Sequence, residues 1–189
     1  MHFVGYPKWL NFIWFQCIWF IAILGREQIQ WLLLGLLLTH LALSKHWKTE
    51  MKVMLLCASV GVALDSLFAW QGVFQFDTSN TLLPIPFWLV AIWLGFSGTL
   101  RHSLSYLLPH PALAMLVAGI SAPLSYFAGM RLGAVEFGLG TWQTAALIGA
   151  AWICIMPVLI FISNKASLSL KALHKSDMPV AKQMAEKNL

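Results

Sequence analysis

Pro86–Leu108 reads PFWLVAIWLGFSGTLRHSLSYLL. These 23 residues are mostly apolar, and about 20 such residues cross a bilayer as a helix. Arg101 and His102 nevertheless sit inside the run. An ionisable group at the centre of a membrane helix costs about 2.5–3.5 kcal/mol even on the lenient insertion scale, so it faces a protein interior or a wet cavity. On a helical wheel Ala91, Gly95, Gly98, His102 and Ser105 share one small, polar face. Leu89, Trp93, Phe96, Leu100, Leu104 and Leu107 fall opposite, on a face expected to meet lipid. Arg101 lies at the edge of the inward face, and the stretch reads as the wall of a buried polar site.

Composition agrees. Of 189 residues 59% are hydrophobic and 10% charged, and mean hydropathy is +0.75. A soluble domain carries about 25% charged residues, so the chain reads as an integral membrane protein with no separate soluble domain. The sequence pI near 9.3 does not imply nucleic acid, because nine of the twelve basic residues are lysines at the ends of apolar segments. Cys17, Cys57 and Cys154 each lie inside an apolar segment and read as small core residues, not a disulfide or metal set. Lys8 precedes an apolar run, but no A-x-A site follows, so the run reads as an uncleaved first span.

The expected fold is all-α: a single bundle of six transmembrane helices over residues 1–163, followed by a basic tail over 164–189. The spans fall at about 9–24, 29–43, 53–70, 86–108, 112–130 and 142–162. Lys45, Lys48 and Lys52 mark a basic loop before the third span, and 72–85 is a turn-rich loop without lysine or arginine. Six crossings place both termini on one side. Lys8, those three lysines and Lys165, Lys171, Lys175, Lys182 and Lys187 collect there, against Arg26 and Arg131 opposite. The positive-inside rule makes the lysine side cytoplasmic, in a bacterial inner membrane.

Counting the helical rise from the cytoplasmic ends puts Asn11, Gln16, His40, Arg101 and His102 in the inner half. Asp65, Ser125 and Tyr126 fall near the midplane. Asp65 shares a small-residue stripe with Ala58, Gly61 and Ala69 and is expected either to pair with Arg101 or to accept from Ser125 and Tyr126. Ala114, Ala118 and Ala122, and Ser121, Ser125, Gly129 and Gly133, form ladders that let helices approach closely. His40 reads as interfacial, as do Trp9, Trp31, Trp47, Trp70, Trp88 and Trp142. The candidate ligand-binding residues are His102, Arg101, Ser103, Asp65, Gln16, Asn11, Ser125 and Tyr126; catalytic residues are unassigned. No G-x-S-x-G elbow, phosphate loop or dinucleotide fingerprint occurs. The histidines lack H-x-x-H or H-E-x-x-H spacing, so no metal or other cofactor is expected.

Three stretches carry a resemblance. They are Asn11–Gln16 (NFIWFQ) leading to Gly25, Trp93 through Thr99 and Leu100 to His102-Ser103-Leu104, and Ala122-Pro123-Leu124-Ser125-Tyr126 through Gly129 to Arg131-Leu132-Gly133-Ala134. Together they resemble the bacterial multi-pass membrane family catalogued as domain of unknown function 2878, over roughly Asn11 to Phe161. In that family an asparagine commonly precedes the histidine, where this chain has Arg101, which moves weight toward His102 and Ser103. The resemblance implies a bacterial inner-membrane protein and supplies no activity.

The leading functional reading is an accessory or scaffold membrane protein whose polar groups are structural. One alternative is a small-molecule binding or transport subunit, resembling in size and topology only the substrate-capture subunits of energy-coupling-factor vitamin transporters. The other is an intramembrane lipid-modifying enzyme with His102 as base. The partners implied are the lipid bilayer and either a small amphipathic ligand or other membrane proteins, without nucleic acid.

Overall fold

The computed structural model describes residues 7–77 and 83–176. Helix α1 (Lys8–Gly25) starts where the Pro7 carbonyl accepts the first free amides, those of Leu10 and Asn11. It stops at Arg26, whose φ of 49° no helix tolerates. A 3-10 turn, Arg26–Ile29, leads into α2 (Gln30–Leu43), which doubles back along α1. The Trp14 indole N–H donates to the Leu36 carbonyl at 3.0 Å, and its ring stacks on His40 with centroids 4.5 Å apart.

Helix α3 (Trp47–Trp70) begins six residues before the expected span, so the lysine-rich segment is helical rather than a loop. The pattern permits this because successive residues rotate by about 100°. Exposed Lys48 and Lys52 share one face while Glu50, between them, points to the opposite side and is buried. Helix α4 (Phe87–Leu100) is 14 residues long, not the expected 23, and Arg101–Pro109 forms hydrogen-bonded turns. Hydroxyls and a cap explain the stop: Thr99 Oγ1 donates to the Phe96 carbonyl at 2.6 Å, while the Leu104 amide wraps back to the Thr99 carbonyl at 2.9 Å. The face of α4 expected to meet lipid is also enclosed, since Leu89, Trp93 and Leu100 are all buried.

Helices α5 (Pro111–Arg131) and α6 (Thr141–Ser176) complete the set. A Cβ on Gly149 would lie 2.9 Å from the Gly119 carbonyl, so the two backbones touch and the pair packs as one unit. Helix α6 runs past the expected end of its span, and the tail beyond Ser176 lies outside the described residues. Among the described residues, four stretches are long and apolar enough to cross a membrane: Lys8–Leu43, Trp47–Trp70, Pro111–Arg131 and Thr141–Leu168; Phe87–Leu100 is apolar but shorter. Of the six expected spans, the first two fall within the single stretch Lys8–Leu43, where the chain doubles back through the 3-10 turn, and the fourth falls short because α4 ends early.

Two short strands, β1 (Phe74–Gln75) and β2 (Glu136–Phe137), pair antiparallel and tie the end of α3 to the α5–α6 connection. The core gathers around α4, which packs chiefly on α3 and α1, while α5 packs chiefly on α6. Trp88, expected as an interfacial anchor, is buried in that core. Of the cysteines only Cys57 is buried; Cys17 and Cys154 sit on exposed helix faces.

Candidate functional site

Among the described residues, the buried acidic, arginine and histidine side chains form two centres, not one. At the first, Glu50 of α3 is fully buried and meets three side chains from two other elements. Its Oε2 accepts from the Arg101 guanidinium at 3.1 Å, its Oε1 lies 3.0 Å from His102 Nε2, and His40 Nε2 is 3.6 Å away. Helices α2 and α3 and the turn after α4 therefore converge on one carboxylate. Asn11 braces the same turn, its Oδ1 accepting from the Ser103 amide at 3.2 Å and the Ser103 hydroxyl at 2.7 Å. His40 is buried here rather than interfacial.

Asp65 forms the second centre. Its Oδ2 accepts the Trp93 indole N–H at 2.6 Å, and the Tyr126 hydroxyl donates to the carboxylate at 2.7 Å. Arg101 is not its partner. Ser125 is not either, since the Ser125 hydroxyl accepts the Trp19 indole N–H at 3.0 Å across from α1. Gly61, one turn before Asp65, has no side chain because a Cβ there would overlap the Trp93 ring.

A cavity of about 500 Å³ opens between α1 and α4 on one side and α5 and α6 on the other. This is within the ordinary range for small-molecule sites, about 300–1,000 Å³. Its walls are aromatic: Phe15, Trp19, Trp88, Trp93, Phe96 and Trp152 all contribute. Trp93 and Trp152 stack at 4.8 Å between centroids, and Phe96 meets Trp152 edge-on at 5.1 Å. Gln16, Thr99, Ser103, Ser125 and Tyr126 add polar groups to the lining. Asp65 does not line the cavity; it fixes two rings that do. Phe74 of the strand pair stacks on Tyr126 at 5.1 Å.

The sequence-predicted residues therefore divide. Gln16, Ser103, Ser125 and Tyr126 line the cavity, Asp65 sits behind it, and Arg101 and His102 belong to the Glu50 centre, with Asn11 holding Ser103 between the two. His102 does not line the cavity, so it is not placed to attack a molecule there. The residue missed by sequence reasoning is Glu50. Its signal was phase: one acid between two lysines two residues either side, alone on the opposite helix face.

The family described as Protein of unknown function (DUF2878) matches residues 8–158. A curated relative from the cyanobacterium Synechocystis sp., named uncharacterized transporter sll1319, is 29% identical over 150 residues, covering 75% of this chain and 44% of that protein. The chain thus spans less than half the length of that relative. No solved structure matches.

Proposed function

The chain belongs to this DUF2878 family, which carries no stated activity, and from that premise we propose that it is a membrane-embedded small-molecule binding or transport subunit. The ligand is small and amphipathic, with a flat apolar face for the tryptophan walls and hydroxyl or amide groups for Gln16, Ser125 and Tyr126. The observation that carries this is the cavity of about 500 Å³ between two helix groups, aromatic-walled and polar at a few points. Helix α1 meets α5 through Trp19 to Ser125, and the 3-10 turn after α1 reaches the residue following α5 through Arg26 to the Leu132 carbonyl at 3.3 Å. That seam gives a ligand dissolved in lipid a lateral way in. The transporter name of the cyanobacterial relative is in keeping with the reading.

The membrane topology belongs to the same proposal. Helices α1, α2, α3, α4, α5 and α6 alternate in direction, as the contacts of Trp14 with His40, Glu50 with Arg101 and Gly119 with Gly149 support. The Lys8 ammonium donates to Ser105 Oγ at 2.9 Å, so the start of α1 and the turn after α4 share one end. Lysine enrichment makes that end cytoplasmic, in the bacterial inner membrane, with both termini inside.

Native mass spectrometry of gently extracted protein tests the function, with Ser121→Trp as the variant that fills the cavity. A discrete small-molecule adduct on wild type that is lost from Ser121→Trp is the expected result. A bare mass for wild type, or an adduct indifferent to the substitution, overturns the proposal and returns the chain to a scaffold role.

A further inference from the structure

We propose that His40, Glu50 and His102 form a binding site for one divalent transition-metal ion, with zinc as the best-suited occupant. Their ligand atoms all lie within 4.8 Å of one another, and all three residues are buried. The same oxygen, Glu50 Oε1, faces both imidazoles, at 3.0 Å from His102 Nε2 and 3.6 Å from His40 Nε2. The longer separation exceeds hydrogen-bond length. Both are ordinary for two ligands of one tetrahedral ion, which stand roughly 3.3 Å apart when each lies about 2.0–2.2 Å from the metal.

The donors are also held in place. The His40 ring is stacked against Trp14, and it meets the His102 ring edge-on with centroids 5.3 Å apart. Gly98 lets the α4 backbone come close, since a Cβ there would stand 3.2 Å from His40 Nε2. Three separate elements supply the ligands, which is why spacing along the chain gave no sign of the site.

The neighbouring charge decides which ion fits. Arg101 occupies Oε2 at 3.1 Å, leaving Oε1 turned toward the imidazoles. A fixed guanidinium beside a single carboxylate disfavours ions that rely on oxygen ligands. Two imidazole ligands favour zinc over magnesium or calcium. The remaining coordination position is open to water. A bound ion would pin α2, α3 and the turn after α4 together, independently of what the aromatic cavity holds.

The test uses the full chain in detergent, stripped with EDTA, reloaded with zinc chloride in the presence of excess magnesium, and desalted. Elemental analysis is expected to find one zinc per chain, lost in His40→Ala and in His102→Ala and kept in His46→Ala and His110→Ala, whose side chains are exposed. Zinc-edge absorption on wild type, which needs no variant to fold, should show two imidazoles and one carboxylate oxygen in the shell. Protein that retains no zinc, equal zinc in His40→Ala and His102→Ala, or a shell without two imidazoles would mean an adventitious ion only and would overturn the site.

Discussion

Substituting Glu50 by glutamine keeps the shape of the side chain and removes its charge. The Glu50 and Arg101 side chains are fully buried, and the two groups are 3.1 Å apart. Taking away one partner of a buried ion pair costs about 3–5 kcal/mol. The new amide also turns N–H groups toward Arg101 or His102, adding no acceptor in return. For a chain of this size about 1 kcal/mol moves the thermal midpoint by roughly 2–4 °C, so Glu50→Gln should lower it by about 6–20 °C. The assay is thermal unfolding in detergent with EDTA present, so that any bound metal does not contribute. Lys48→Gln and Lys52→Gln, one helix face away and exposed, should stay within about 0.5 kcal/mol of wild type. The double variant Glu50→Leu/Arg101→Met should regain most of the loss, because a neutral apolar pair removes both charges at once. A Glu50→Gln midpoint matching wild type would refute the reasoning, since Arg101 would then hold its charge without this carboxylate.

Other outcomes follow from packing and topology. Gly61→Ala should destabilise by about 1–3 kcal/mol because its methyl group meets the Trp93 ring. Gly35→Ala, with nothing within 4 Å, should instead stabilise by about 0.5–1 kcal/mol; equal midpoints for the two would contradict the packing. Tyr126→Phe removes one donor to the Asp65 carboxylate and should cost about 1–3 kcal/mol in the same assay, with no loss if the hydroxyl does not hold that acid. In a background with Cys17, Cys57 and Cys154 replaced by serine, Lys45→Cys should react with an impermeant thiol reagent only from the cytoplasmic side. Glu136→Cys should react only from the opposite side, and labelling of both from one side would sink the six-crossing topology.

What was legible in the sequence was the apolar run and its interruptions. Helical membrane character followed from composition, and the ends of α1, α2 and α5 fell within a residue or two of the expected positions because Pro7, Gly25 and Pro111 mark them. The beginning of α3 is hidden in the pattern because clustered lysines suggest a loop, whereas a helix turn accommodates them on its exposed face. Glu50 lies within that stretch, so the pattern does not single it out as the acid that Arg101 meets. Depth along the helices leaves Asp65 with two sets of candidate partners, Arg101 or Ser125 with Tyr126, of which Tyr126 bonds it; Trp93 is hidden from such counting because its indole falls on the face of α4 that the pattern assigns to lipid. The turn after α4 is braced by a contact 92 residues away, Ser103 with Asn11, which no local pattern encodes. Strands of two residues are too short to leave an alternation.

The Glu50–Arg101 pair has a consequence for how the chain is made. Its two halves lie 51 residues apart, so the acid leaves the ribosome well before the base that neutralises it. Until α4 and its following turn are synthesised, the first turn of α3 carries an unmatched carboxylate between two lysines. That arrangement favours its staying at the watery rim of the insertion machinery over entering lipid. Burial of Glu50 therefore waits on the arrival of Arg101, and α3 and α4 settle as a hairpin rather than one by one. A nascent chain truncated before Arg101 should accordingly leave the start of α3 open to added protease.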